Sequence, residues 1–217
     1  MTGSGFFGDE DSVTITILVC VARGTLIETS HGDVPVEKLA VGDLVQTLDN
    51  GLQPVRWIGS RKIGAAELAG NDSLLPIRIL KGALGEGLPE KDLLVSPQHR
   101  VLVGGWRAEL LFGESEVLAP AKGLINDHTV IRDTSVEEIE YFHVLFDSHE
   151  IIKTDGAFTE SFHPGAYTMR EMDDAARAEL IQILPQLATA SGSYGNTARM
   201  VLKTSEAGLI DISREGF

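Results

Sequence analysis

Cysteine is scarce in this chain: one residue, Cys20, occurs among 217. A single cysteine cannot form an intramolecular disulfide, and it cannot build a zinc site from several thiolates. A lone cysteine is more often a small buried apolar residue than a reactive group. A catalytic role for Cys20 therefore has to be argued from the residues around it.

Positive charge is scarce as well. Lys and Arg total 18 against 32 Asp and Glu, which gives a formal net charge of −14. An acidic surface repels phosphate backbones, so we expect no nucleic-acid partner. The Gly-rich motifs that cradle nucleotide phosphates are missing too, and we expect no cofactor.

The sequence also lacks a long apolar run and a basic N-terminal region. No apolar run reaches the roughly 18 residues that a transmembrane helix needs. Residues 1–19 contain no Lys or Arg of the kind that opens a signal peptide. We therefore expect no membrane partner, and either a cytoplasmic location or secretion by a route that reads another signal.

Short β-rich segments separated by turns fill the first three quarters of the chain. Residues 13–21 are β-branched and apolar, which predicts a buried strand with Cys20 near its end. Residues 44–48 and 52–58 flank Asn50-Gly51, a pair that favours a hairpin with a type I′ turn. Pro54 places the second strand of that hairpin at a sheet edge or interrupts it.

The same pattern continues in the middle of the chain. Residues 93–103 predict two strands around a turn at residues 96–99, and residues 141–146 and 150–153 predict another strand pair with a turn at Asp147-Ser148. Within the first of these later strands, alternation places His143 and Leu145 on one face. Many short strands of this kind indicate a mostly β domain of irregular shape.

The pattern changes after residue 165. Thr168 and Glu171 fit a helix capping box, apolar residues follow at helical spacing, and Pro185 ends the run. Residues 188–197 resemble a linker in composition. The predicted organisation is a flexible lead and N-terminal flank over 1–19, a β body over 20–165 and a helical appendage over 166–217.

Three separated segments carry a recognisable combination of residues. In residues 20–29 the cysteine is followed by Gly-Thr and an apolar strand, and residues 36–45 continue that segment. In residues 94–102 Ser96 precedes His99 by three, and residues 143–165 form the third segment. In this order and spacing they resemble the Hint superfamily of hedgehog and intein domains, in particular bacterial intein-like proteins with stand-alone Hint domains.

The resemblance implies a horseshoe-shaped, mostly β fold with pseudo-twofold halves, here followed by the short helical appendage. It also implies self-processing: Cys20 attacks the carbonyl of Val19, and the amide becomes a thioester in an N-to-S acyl shift. Water, a thiol or an amine then takes the acyl group, in a single-turnover autocatalytic cleavage. Splicing is not expected, because no His-Asn pair followed by Cys, Ser or Thr occurs where the domain ends.

An acyl shift needs a competent thiolate, a proton for the leaving amine and stabilisation of the oxyanion. The resemblance assigns His99 as the acid for the leaving amine. Ser96 is expected to hydrogen-bond His99 or the oxyanion, and His143 is expected to deprotonate Cys20. His149 matches the histidine of the closing block.

Two alternatives remain open at this point. One is a Hint-fold scaffold or interaction module of a secreted protein that no longer catalyses any reaction. The other is a His-rich β protein that binds zinc or iron through His99, His143, His149 and carboxylates. The remaining histidines are expected to be solvated or structural: His31, His128 and His163.

Overall fold

The computed structural model describes residues 19–164, 174–188 and 194–210. Strands dominate these residues and form two sheets, which confirms the mostly β fold class. The strand predicted over residues 13–21 lies outside the described residues except at its end, where β1 spans Val21–Ala22. Cys20 is therefore the residue that directly precedes the first described strand.

The first sheet places β1 in its interior. In spatial order its strands are β11 (Val130–Arg132), β7 (Ile77–Ile79), β8 (Leu93–Val95), β1, β12 (Ile139–Leu145) and β6 (Trp57–Ile63). Val21 lies opposite Val95 on one side and Phe142 on the other, in antiparallel register. The residues just beyond β8 and the middle of β12 thereby flank the start of β1.

The second sheet carries the remaining described strands. In spatial order they are β15 (Met200–Val201), β10 (Glu116–Pro120), β9 (Arg100–Gly104), β14 (Ala157–Glu160), β13 (Ile151–Thr154), β2 (Leu26–Thr29), β4 (Leu44–Thr47) and β5 (Gly51–Pro54), with β3 (Gly32–Pro35) paired to β2. Pairing is antiparallel except between β15 and β10. The strands β8 and β9, predicted around the turn at residues 96–99, thus belong to different sheets.

The hairpin β4–β5 is confirmed, but its type I′ turn is wrong. Thr47 pairs with Gly51, so three residues form the loop, and Gly51 has a φ of 64° while Asn50 is not among the residues with positive φ. A three-residue loop needs a left-handed residue at its end only. The Asn50 amide instead donates to both carboxylate oxygens of buried Glu150, at 3.1 and 2.9 Å. As predicted, β5 is an edge strand and ends at Pro54.

The strands predicted over residues 141–146 and 150–153 exist but do not pair with each other. β12 pairs with β1 and β6 in the first sheet, whereas β13 pairs with β14, β2 and β4 in the second. β12 has a partner on both sides already, so the chain crosses to the second sheet through residues 146–150. Arg56 holds this crossing through an ion pair of 2.6 Å with Asp147.

Helices connect and cover the sheets. They are α1 (Ala65–Gly70), α2 (Trp106–Phe112), α3 (Asp174–Ile183) and α4 (Thr204–Ala207). The α3 helix ends just before Pro185, as predicted, while the predicted capping box at Thr168 and Glu171 lies outside the described residues. Nowhere in the described parts of the chain is a helix both long and apolar enough to span a membrane.

The two sheets share one large apolar core. It includes side chains from β1, β8 and β12 of the first sheet and from β2, β9 and β13 of the second: Val21, Val95, Phe142, Val144, Ile27, Val101 and Ile152. Full burial of such a side chain stabilises the fold by about 1.5–3 kcal/mol. A second cluster, with Ile63, Leu68, Leu74 and Tyr141, surrounds Cys20.

Candidate active site

Two hydrogen bonds link Cys20 to Ser96, in the turn after β8. The backbone N–H of Ser96 donates to the carbonyl of Cys20 at 3.0 Å. In return the backbone N–H of Cys20 donates to Ser96 Oγ at 3.1 Å. This N–H belongs to the Val19–Cys20 peptide bond, so Ser96 fixes the orientation of the amide that self-processing would cleave.

His143 contacts both reacting groups of that peptide bond. Its Nδ1 lies 2.8 Å from the carbonyl oxygen of Val19, and its Nε2 lies 3.3 Å from Cys20 Sγ. A carbonyl oxygen can only accept, so Nδ1 carries the proton of the neutral ring by hydrogen-bond logic. Nε2 is then the acceptor, and it is the nearer of the two ring nitrogens to the thiol sulfur, which lies 3.5 Å from Nδ1.

An aromatic cage holds the His143 ring. Trp57 stacks on it with ring centroids 6.2 Å apart, and Phe162 lies at 4.8 Å. Gly59 pairs with His143 across β6 and β12. A Cβ atom at Gly59 would lie 2.1 Å from a ring carbon of Trp57, so only glycine leaves space for this indole. Leu145 joins Trp57 and Phe162 on the same side, as strand alternation predicts.

Burial keeps the thiol and the imidazole uncharged. The Cys20 side chain is almost wholly buried, which raises the pKa of its thiol well above 9.0, and a hydrogen bond with Ser96 and the charge of Arg61 offset this only in part. Burial lowers the pKa of His143 to about 4, against the opposing effect of its bond to the Val19 carbonyl. The pair is therefore a neutral thiol facing a neutral base at pH 7.

His99 lies at the end of the same turn as Ser96. Its backbone N–H donates to the Ser96 carbonyl at 3.0 Å. Its ring is buried, and among the described residues neither ring nitrogen has a hydrogen-bond partner. Burial lowers the pKa of His99 to about 4, while the charge of Glu160 raises it. A buried imidazole without such a partner is costly.

His149 has a different set of partners. The backbone N–H of Ala198 donates to its Nδ1 at 3.0 Å, and its Nε2 lies 3.3 Å from Glu160 Oε2 without the alignment of a hydrogen bond. Glu160 also accepts from the backbone N–H of Arg100 at 2.9 Å and from its guanidinium at 2.7 Å. The structure thus brings Cys20, Ser96 and His143 together and places His149 in a buried charge network.

Sequence reasoning gave no role to several residues of this region. Glu160 and Phe162 stood in the closing block, but nothing in the sequence indicated that one faces a histidine network and the other cages His143. Trp57 stood near the end of the strand predicted over residues 52–58 and Gly59 lay beyond it, whereas in the structure both belong to β6, in the other sheet from β5. Contacts between β6 and β12 join positions 76 to 88 residues apart, and their pairing emerges only from the sheet order.

The described residues offer no ligand cluster that would support the metal-binding alternative. Among residues 19–164, 174–188 and 194–210, no group of three or more His, Cys, Asp or Glu side chains has the geometry to hold a metal ion. His143 contacts Val19 and Cys20, whereas His149 contacts Ala198 and Glu160.

Comparison with known families finds a match that covers most of the chain. The Hint domain model matches residues 19–166, which is more than half of the chain. The chain therefore belongs to the Hint domain family, a family of self-processing domains of the intein type. A comparison with curated proteins finds no match.

Solved structures of inteins match this chain over nearly the whole length of each intein. The gp41-1 intein matches with a TM-score of 0.42 and 15% identity, over 64% of this chain and 96% of the intein. A bacterial intein-like domain from Clostridium thermocellum matches with a TM-score of 0.39 and 15% identity, over 66% and 98%. A DnaB intein from Synechocystis gives 0.39 and 12%, over 65% and 97%. At these TM-scores, family membership rests on the sequence match.

Proposed function

We propose that the chain cleaves its own Val19–Cys20 peptide bond through an N-to-S acyl shift, without splicing. The observation that carries this proposal is the double contact of His143, with the carbonyl oxygen of Val19 and with the sulfur of Cys20. One buried side chain touches both the electrophile and the nucleophile of the same peptide bond.

The first step is attack by the Cys20 sulfur on the Val19 carbonyl carbon. The thiol proton passes to His143 Nε2 as the new C–S bond forms, because the neutral ring has its lone pair on that nitrogen. Negative charge develops on the Val19 oxygen, which already accepts from His143 Nδ1 at 2.8 Å. His143 therefore acts as general base and as a donor to the oxyanion.

The second step breaks the C–N bond. The leaving nitrogen of Cys20 needs a proton, and its N–H is already held by Ser96 Oγ at 3.1 Å. We assign the proton donor as His99, which lies at the end of the turn that carries Ser96; because its pKa is about 4, the donor is the small fraction of the ring that is protonated at neutral pH. The products are a thioester between Val19 and Cys20 and a free amino group on Cys20.

The thioester is resolved by an external nucleophile. Water releases residues 1–19 as a free acid, and a thiol or an amine takes them as a new thioester or amide. Each of these breaks the C–S bond and returns the Cys20 thiol. No His-Asn pair followed by Cys, Ser or Thr occurs in the sequence, and Asn196-Thr197 is preceded by Gly195, so we expect the reaction to stop at N-terminal cleavage or acyl transfer.

Hydroxylamine treatment of the purified chain tests this function. A native chain should release residues 1–19 as a hydroxamate and leave residues 20–217 with a free amino terminus, both resolved by mass spectrometry. The Cys20→Ala chain and the denatured chain are the matched controls and should stay intact. If the native chain stays intact as well, it does not catalyse the shift, and the scaffold alternative is supported instead.

A further inference from the structure

Glu160 is a buried carboxylate that the acyl shift does not use directly. Its side chain and that of His149 are both fully buried. A buried charge is costly unless it is paired and hydrogen-bonded. Glu160 satisfies this condition through Arg100, which contributes its backbone N–H at 2.9 Å and its guanidinium at 2.7 Å.

These bonds tie Glu160 to the candidate acid. Arg100 directly follows His99 and begins β9, so a carboxylate that holds both its backbone and its side chain fixes the end of the turn that carries His99. The charge of Glu160 also favours the protonated form of the His99 ring, since it raises the pKa of His99 while burial lowers it. Geometry and charge both connect Glu160 to His99.

The other side of the network depends on residues after the closing block. Because Ala198 donates its backbone N–H to His149 Nδ1, the proton of the neutral His149 ring lies on Nε2, the nitrogen that faces Glu160. Residues 194–201 are the segment that carries Ala198, and the Hint domain match ends at residue 166, before this segment. Part of the environment of Glu160 therefore comes from outside the matched domain.

Several anchors dock this segment on the body. The Tyr194 hydroxyl donates to the Phe146 carbonyl at 2.7 Å. The Arg199 guanidinium bonds Asp49 at 2.8 and 2.9 Å and Glu116 at 2.8 Å. Strand β15, at Met200–Val201, pairs in parallel with β10. Together these contacts hold the Ala198 amide against His149.

We propose that Glu160 is a positioning residue for His99 in the acyl shift, and that the docked segment 194–201 completes its environment through His149. N-terminal processing then depends on C-terminal docking. This inference rests on the proposed function for its consequence in catalysis, but the network itself is testable without cleavage.

The first test measures the network by NMR in a Cys20→Ala chain, which cannot process. Nitrogen-15 spectra of the His149 ring should show the Nε2–H tautomer. Ala198→Pro removes the amide donor and should shift His149 towards the other tautomer, whereas Ala198→Gly keeps the N–H and should keep the tautomer. Titration of His99 in a Glu160→Gln chain should give a lower pKa than in its parent. An Nδ1–H tautomer in the parent, or an unchanged His99 pKa, overturns the proposal.

The second test measures hydroxylamine cleavage in chains that retain Cys20. Each unit by which the pKa of His99 falls cuts its protonated fraction about tenfold at pH 7, so Glu160→Gln should cleave more slowly by the factor that the measured pKa change gives. Its pH–rate profile should shift to lower pH, which a purely structural loss would not cause. The charged or titratable groups that face Glu160 or His99 in this region are Arg100, His143, His149 and His163.

Matched variants keep the second test interpretable. Glu138→Gln removes an exposed carboxylate paired with Lys62 and should leave the rate unchanged. Ala198→Pro should slow cleavage in the same direction as Glu160→Gln, and it remains informative if Glu160→Gln fails to fold. Parental rates and profiles in both network variants overturn the proposal. A parent chain that hydroxylamine leaves intact, but whose spectra show the expected tautomer and pKa change, contradicts the proposed function and supports the network.

Discussion

His143 makes two contacts, and two substitutions separate them. Asparagine at position 143 places an amide nitrogen near the position of the histidine Nδ1, so His143→Asn keeps a donor for the Val19 oxygen and loses the acceptor for the Cys20 proton. Leucine at the same position fills the aromatic cage and provides neither. The comparison measures the base and the oxyanion donor in one background.

The magnitudes follow from the two contacts. Loss of a general base slows a reaction by about 10²–10⁴-fold, so His143→Asn should fall in that range. Loss of one oxyanion donor costs about 10²–10³-fold more, so His143→Leu should be slower than His143→Asn by that factor. Both contacts are short, at 2.8 Å to the carbonyl oxygen and 3.3 Å to the sulfur, which justifies the full ranges.

The assay is the initial rate of hydroxylamine cleavage followed by mass spectrometry, with thermal unfolding measured in parallel. Equal rates for the two variants would refute the oxyanion role of His143. A rate in His143→Asn close to that of the parent would refute its role as the base. A loss of rate that tracks the loss of unfolding temperature in both variants would assign His143 a structural role only.

Four further predictions follow from the site. His99→Ala should slow cleavage by about 10²–10⁴-fold at an unchanged fold, and a parental rate would remove it from the mechanism. Gly59→Ala should displace the Trp57 indole, whose ring carbon lies 2.1 Å from the added Cβ, and slow cleavage, while a parental rate and parental Trp fluorescence would contradict this. Burial lowers the pKa of both His99 and His143 from 6.5 to about 4, so the unfolded chain binds more protons than the folded chain between these values. The free energy of unfolding should therefore fall as pH falls through this window, by up to about 3 kcal/mol per histidine. Urea melts measure this, and a flat profile would contradict the shifts. A reporter fused after Phe217 should be neither released nor ligated, as intact-mass analysis of the fusion would reveal.

The sequence placed three candidate site residues in segments that the fold brings together. Cys20, Ser96 and His143 each stood in a segment with a recognisable pattern, and β1, β8 and β12 bring these three into contact. Strand alternation placed His143 and Leu145 on one face, and the aromatic cage lies on that face. Local patterns were sufficient here because each segment is a strand or a turn that directly adjoins a strand.

The pairing of strands that are distant in the chain could not be predicted from the sequence. Two apolar runs joined by a turn look like a hairpin, yet β12 and β13 belong to different sheets because β12 is already flanked by β1 and β6. The contact between Ala198 and His149 is of the same kind. It joins a backbone amide to a ring nitrogen, and a backbone amide leaves no trace in the pattern of side chains.

The Cys20 thiol and the His143 ring are both uncharged at neutral pH. Burial raises the pKa of the Cys20 thiol and lowers that of His143 to about 4, so at neutral pH the proton stays on sulfur until the C–S bond forms. A domain that needs a single turnover gains little from a preformed thiolate. A thiolate is also the form that oxidants attack, and Cys20 is the only cysteine in the chain, so burial that keeps it protonated would preserve the nucleophile for the proposed acyl shift.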